Sequence, residues 1–507
     1  MRSRTRGTGA DRGADRIARS GKPAQALAWS YANILGSKLG GLVIGVVLAR
    51  ALGPEEFGSY AVAFVALMAI LAFNDLGVSL AIVRWPDDPE TIVPTVNTVT
   101  LASSVLLTGA ILVAAGPFAS AMGDPDSASL VRLLGLCVLI NAVVASPAAL
   151  LQRRFRSDLR ALSDQVNIWL GAGVSLALAL MGAGAMSLVV GRLAGAVAGA
   201  VLLLRFSPLP YRLGLDRSVL HRLLGFGVPL ALASVVVFGI GFVDQIVVGH
   251  LLGPTLLGAY VLAFNLASWP VQLLSQPLRG VAPAVFARHQ HDPDEMRHRL
   301  VRMVRPLAAV AFPMCVVLAV AAPEVIQFVY GSQWRTAAEP LRWLAIFAVF
   351  RILSELAYDY VVVAGSSRSL LIVQVIWFAT LTPLVVIGTR EASLGGAAAA
   401  QVLAAALVVV PSYGWLLFRL GVRPVELVKR LVDPTGGALL LAGLVWLVAA
   451  TSLPDLAVLA VAGVLTLTTT GLLVHRCRSD LLLWRTQGDG AESIAPGAPA
   501  LREADVV

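Results

Sequence analysis

The chain has 507 residues, 57% of them hydrophobic and only 14% charged, with a formal net charge of +9. Soluble domains carry about 25% charged residues, so this composition excludes a soluble enzyme with one anchor. The three cysteines, Cys137, Cys315 and Cys477, are too scattered for a disulfide framework or a metal-ligand spacing, and no metal site is expected.

The start, MRSRTRGTGADRGADRIARSGK, is basic and Gly-rich. The apolar run after it is full helical length without a clean small-residue cleavage site, which predicts a disordered cytoplasmic tail, 1–26, before an uncleaved helix. Apolar stretches of about twenty residues then recur, each long enough to cross a bilayer as a helix. They predict helices over 27–49, 58–81, 94–115, 129–151, 165–182 and 185–204, a six-helix bundle spanning 27–204. A basic linker, 205–225, follows. A second bundle, 226–418, is predicted from helices over 226–249, 257–279, 304–322, 338–360, 369–388 and 393–418. Another basic linker, 419–434, leads to a helix pair within 435–474 (435–451 and 455–474) and a polar tail, 475–507. RWPDDPE and the long, mixed-charge ARHQHDPDEMRHRLVR read as loops. The fold class is therefore an all-α membrane protein of about fourteen crossings.

The two bundles share a repeat. LARALGPEEFGSYAVAF at 48–64 returns as VGHLLGPTLLGAYVLAF at 248–264. Gly41, Val43, Val47, Leu52, Gly53, Pro54, Gly58, Tyr60, Ala63 and Phe64 all recur 200 positions on, without a gap. Such self-similarity marks a duplicated architecture. An even number of crossings separates the copies, so both enter the membrane in the same direction. That is a parallel repeat about an axis along the membrane normal, with a site expected between the halves near the midplane.

If the N-terminus is cytoplasmic, every basic link falls inside, and Arg50, Arg132, Arg335 and Arg390 are left outside. That asymmetry predicts both termini in the cytoplasm. The two LGP corners then face outwards, with Tyr60 and Tyr260 at positions suited to interfacial aromatics. Outer loops are short, and no P-loop, dinucleotide fingerprint or HExxH motif is present. A glycosyltransferase or polymerase would need a larger outer loop, so transport is favoured over enzyme or scaffold. No nucleic-acid partner is expected.

Charges at a helix centre cost about 2.5–3.5 kcal/mol and ask for a reason. Lys38, Asp75, Arg192, Asp244, Arg351 and Glu355 are such residues. Arg351 and Glu355 share a helical face and also read as a self-neutralising pair. Asp75 also reads as a staple to Arg84, and Arg342 as a snorkelling group near the outer end of its helix. Lys38 and Asp244 have no obvious partner a turn away. Gly36/Gly40 and Gly41/Gly45 give only weak GxxxG signals.

LAR-x-L-x-PEEFG-x-Y at 48–60 and DLG-x3-AIVR at 75–84 carry a family resemblance. So do LLQRRFR at 150–156, Asp244 with LLG-x4-GAY at 251–260, Pro270, Pro283, FAR at 286–288, and GSQW-x5-PLRWLA at 331–345. Together they resemble the polysaccharide transporter branch, the Wzx-type exporters, of the multidrug/oligosaccharidyl-lipid/polysaccharide flippase superfamily. The resemblance covers about residues 30–475. It implies a cell (inner) membrane flippase for polyprenyl-pyrophosphate-linked oligosaccharide repeat units, serving lipopolysaccharide, capsule or exopolysaccharide synthesis. It implies two bundles around an alternately opening cationic cavity, with membrane lipid and a glycan polymerase with its chain-length machinery as neighbours. No cofactor is implied beyond a coupling Na⁺ or H⁺. The expected substrate-binding cations are Lys38, Arg192 and Arg351, and the expected ion-coupling acids Asp75, Asp244 and Glu355. The rival reading is a drug/cation antiporter of the same superfamily, which predicts acidic cavity residues.

Overall fold

In a computed structural model of the chain, residues 23–74, 82, 88–154, 156–451 and 453–478 are described. Asp75, Arg84 and most of both expected tails lie outside the described residues. The described residues form helices, with no strand among them.

Helix α1 (Pro23–Asn74) is formally continuous over 52 residues. Unbroken, it would be about 78 Å long, more than twice the ~30 Å hydrocarbon core. The break is Gly53, whose φ of 76° suits glycine, followed by Pro54, which opens the next helix. The same corner recurs at Gly253, φ 83°, between α6 (Arg217–Leu252) and α7 (Pro254–Ala287). Between them stand α2 (Pro89–Ala121), α3 (Ala128–Arg153), α4 (Ser157–Leu180) and α5 (Met186–Phe206). After α7 come α8 (Pro293–Val320), the short α9 (Ala322–Tyr330), a 3-10 turn (Ser332–Ala337) and α10 (Ala338–Val363). Then follow α11 (Ser367–Ala404), broken at Ala392–Ser393, a single π turn, and α12 (Val410–Arg419). The chain closes with α13 (Pro424–Ala449) and α14 (Asp455–Arg476). Divided at their breaks, these helices match the roughly fourteen expected segments.

Ten helices among the described residues are long and apolar enough to cross a membrane. Two of them, 44–74 and 368–419, contain the breaks at Gly53 and Ala392–Ser393. The protein is a multi-pass membrane protein. Its outward surface agrees: Leu440, Leu467 and Val113 are exposed as they would be to lipid.

Two segments read as loops begin helices instead. Most of ARHQHDPDEMRHRLVR belongs to α8, which starts because Asp292 accepts from the Glu295 N–H and Pro293 occupies the first turn. Most of the 419–434 linker is the start of α13, again opened by a proline, Pro424. The 205–225 linker is strapped onto α2. Thr98 Oγ1 donates to the Gly214 carbonyl at 2.7 Å and Asn97 Nδ2 to the Arg212 carbonyl at 2.9 Å.

Packing follows the duplication. In the N-terminal half α2 lies on α3, α4 on α5, and the second part of α1 on α3 and α4. In the C-terminal half α10 packs on α7, α8 and α11, and α11 on α6. The halves meet through α1 with α6 and α7. α13 and α14 pack on α8, and Arg305 of α8 pairs with Asp433 of α13.

Candidate functional site

The seam between the halves is built from the repeated corners. A Cβ on Gly258 would stand 2.9 Å from the Gly58 Cα, and a Cβ on Gly58 would overlap the Pro254 carbonyl. Two helices can approach this closely only where both present glycine. Trp334, fully buried, donates its Nε1–H to the Ala49 carbonyl at 3.1 Å, and Gln333 Nε2 donates to the Arg50 carbonyl at 3.2 Å. Arg50 reaches back to the Val329 carbonyl at 2.8 Å and to that of Phe328, filling carbonyls at the end of α9. The LGP face of the molecule is thus closed across the two halves.

Within the N-terminal half lies a cavity of about 450 Å³ between α1, α3, α4 and α5. That is within the size range of small-molecule sites, about 300–1,000 Å³. Its polar lining includes Tyr60, Asn141, Asp164, Asn167 and Arg192. The glycine ladder Gly191, Gly195 and Gly199 draws α5 tightly onto α4. A Cβ on Gly195 would lie 2.8 Å from Asn167 Oδ1, and one on Gly199 3.1 Å from Asn167 Cβ. The ladder is a second close glycine interface beside that of Gly58 and Gly258, while the surroundings of Gly36, Gly40 and Gly41 lie outside what is described. Next to Gly191, Arg192 holds its guanidinium 5.2 Å from the Phe64 ring centroid, a cation–π distance. No carboxylate pairs with it among the described residues.

The C-terminal half holds a buried acid of its own, on α6. Asp244 is fully buried. Its Oδ2 accepts from the Tyr260 hydroxyl at 2.8 Å and from Gln401 Nε2 at 3.0 Å, and its Oδ1 from the Gln245 N–H at 2.8 Å. The partners that its own helix lacks come from α7 and α11. Two buried oxygens, Gln245 Oε1 and Gln401 Oε1, have no hydrogen-bond partner among the described residues. The expectation of interfacial tyrosines is therefore corrected. Tyr260 is 0% exposed and serves the carboxylate, and Tyr60 lines the N-terminal cavity. Their rings face inward because the corner leads straight into a packed helix, not along the membrane boundary.

On α10, Arg351 Nε lies 3.2 Å from Glu355 Oε1. With side chains 39% and 21% exposed, the pair is only partly buried. Two further charges, missed in the sequence, extend this face: Asp359, buried one turn on, and Arg279 of α7, whose Nε is 3.7 Å from Asp359 Oδ1. The i, i+4, i+8 spacing of 351, 355 and 359 was the available signal. The structure does not bring Arg192, Asp244 and Arg351 into one cluster. Of Lys38, only its place within α1 is described. No group of three or more metal-ligating side chains occurs among the described residues.

The polysaccharide biosynthesis protein family matches residues 47–339. The chain is 26% identical over 377 residues to the succinoglycan biosynthesis transport protein ExoT of Rhizobium meliloti (strain 1021), covering 74% of this chain and 75% of that one. It is 22% identical to the lipopolysaccharide biosynthesis protein WzxC of Escherichia coli (strain K12), over 61% of this chain and 64% of that one. In fold it is similar to the lipid II flippase MurJ in an inward closed conformation, with a TM-score of 0.75 at 14% identity, over 89% of this chain and 99% of that one. An inward-facing multidrug resistance transporter of the MATE family gives a TM-score of 0.60 at 16% identity, over 75% and 93%.

Proposed function

The chain belongs to the polysaccharide biosynthesis protein family, and from that premise we propose that it is a flippase for lipid-linked oligosaccharides. Its cargo is a polyprenyl-pyrophosphate-linked repeat unit, carried from the cytoplasmic to the outer leaflet of the inner membrane. Both termini are cytoplasmic, and the LGP corners face outward. The observation that carries this reading is Arg192 in a polar cavity, with no carboxylate partner among the described residues, within a duplicated bundle whose relatives are named for polysaccharide transport.

The cargo's headgroup enters while the LGP face is closed, and its prenyl tail stays in lipid. Arg192 meets its phosphates, with Lys38 and Arg351 as further cations. Asp164, Asn141 and Asn167 supply hydrogen bonds suited to sugar hydroxyls. Rocking of the halves then opens the repeated corners and exposes the headgroup outside. The transport step itself breaks no covalent bond. Asp244 is the coupling acid this reading prefers. It has no cation partner among the described residues, whereas Glu355 is already engaged with Arg351. Asp75 is the remaining coupling residue in the proposal. A drug/cation antiporter would need acids unopposed by a cation in the N-terminal cavity, whereas here Asp164 shares the lining with Arg192.

In a strain depleted of the native protein, Arg192→Gln should reduce surface polymer and accumulate the lipid-linked intermediate. Losing one charge-assisted contact, worth about 1.5–3 kcal/mol, predicts a fall of roughly 10- to 150-fold in transport. Arg192→Lys should retain part of the activity. Normal polymer in Arg192→Gln would reject the cationic-cavity mechanism.

A further inference from the structure

A second cavity, about 480 Å³, lies on the LGP face, away from the site above. It is lined by Pro323, Gln327, Arg335, Ala338, Glu339 and Arg342. On the proposed orientation this is the outer face, where the sequence leaves few cations; Arg335 is one of them, and Arg342, near the outer end of its helix, joins it here. Arg50, a third, is committed to the seam. Arg335 binds only a neutral group, with Nε and Nη2 donating to Gln327 Oε1 at 3.2 and 3.0 Å. Arg342 has no hydrogen-bond or ion-pair partner among the described residues, and Glu339 pairs with neither arginine. The cavity therefore carries a net positive charge with a free guanidinium.

The two helices that carry the cleft also turn aromatic rings outward: Phe328, next in sequence to Gln327 on α9, is 45% exposed, and Trp343, next to Arg342 on α10, is 37% exposed. Exposed aromatics flanking arginines mark the boundary between hydrocarbon and headgroups. Arg is suited to phosphate through its forked donors. We propose that this cleft binds the phosphate-bearing headgroup of a lipid in the outer leaflet, resting on the orientation given above. The cleft is built on the same α9 and 3-10 turn that supply Val329, Gln333 and Trp334 to the seam. A headgroup released through the opened seam would meet it first.

The test titrates detergent-purified protein with polyprenyl pyrophosphate, phosphatidylglycerol and inorganic pyrophosphate, and reads bound adducts by native mass spectrometry. The wild type should retain a lipid equivalent that the Arg335→Gln/Arg342→Gln variant loses, with affinity down roughly tenfold or more, as for loss of a charge-assisted contact. Arg390→Gln, a control elsewhere on the chain, should bind as the wild type does. Retention of polyprenyl pyrophosphate alone makes the ligand the cargo carrier, and retention of phosphatidylglycerol as well makes it bulk lipid; both support the cleft. Equal retention by the double variant overturns it, and so does displacement by inorganic pyrophosphate at equal concentration. Transport in Arg192→Gln is read separately, so either proposal can fail without the other.

Discussion

Gly258→Ala tests whether the repeated corners hold the halves together. The added Cβ would stand 2.9 Å from Gly58 Cα, Gly58 N and the Pro54 carbonyl oxygen, all backbone atoms that cannot rotate away. Ordinary contact begins at 3.4 Å, so the helices must part by at least 0.5 Å, the difference between these two distances. Two effects compete. Alanine favours a helix interior over glycine by roughly 0.5–1 kcal/mol, but it does so whether the seam is open or closed. The overlap penalises only the closed state, by about 1–3 kcal/mol, and so decides the result. The open fraction should rise roughly 5- to 150-fold. The assay is a cysteine at Ala259, which is fully buried beside the seam, with the three buried native cysteines replaced. On the proposed orientation, a membrane-impermeant maleimide added from outside should label it faster in Gly258→Ala by that factor. An unchanged rate at equal folded fraction would refute the reasoning, because the close approach would then not be what keeps the face shut.

Two further outcomes follow from the same physics. Tyr260→Phe removes a donor from a buried carboxylate and should destabilise the protein by about 1–3 kcal/mol, read as a lower melting temperature; if Asp244 couples to Na⁺, added Na⁺ should raise the melting point of the wild type but not of Asp244→Asn. At the membrane-flanking start of α6, the hydroxyl and N–H of Ser218 and the N–H of Val219 hold the Asp216 carboxyl below its usual range. A depressed folded value stabilises above the unfolded pKa, about 3.9, and this contribution is lost as pH falls through the lower folded value. The protection factors of the Ser218 and Val219 amides, taken against the intrinsic exchange rate at each pH, should therefore fall on acidification, and in Asp216→Ala at neutral pH; no change in that variant would count against the cap.

The helices were legible because each span must be apolar along its whole length, and the corners because Gly-Pro combines a positive φ with a helix start. The break at Ala392–Ser393 also fell where a new helix was expected, although Ser393 takes a φ of 53° without being glycine. The polar chemistry was legible only as isolated letters. Asp244 looked unpaired because Gln401 is 157 residues away, and nothing in an apolar span records which neighbour it will face. Tyr260 was misassigned for the same reason. The starts at Pro293 and Pro424 could have been read, since each carries its own proline, but surrounding charge disguised helix as loop. The family resemblance rested on the corners and basic links, and the match over residues 47–339 agrees with it.

The terminal pair α13–α14 stands outside the duplication, and it is fastened to one half only. Arg305 grips Asp433, and Leu473 and Cys477 pack on Ala309, all against α8. Any rotation between the halves would therefore carry α13 and α14 with the C-terminal half. The pseudo-twofold axis governs the architecture, but the load is lopsided: in the proposed rocking, the C-terminal half is the heavier arm.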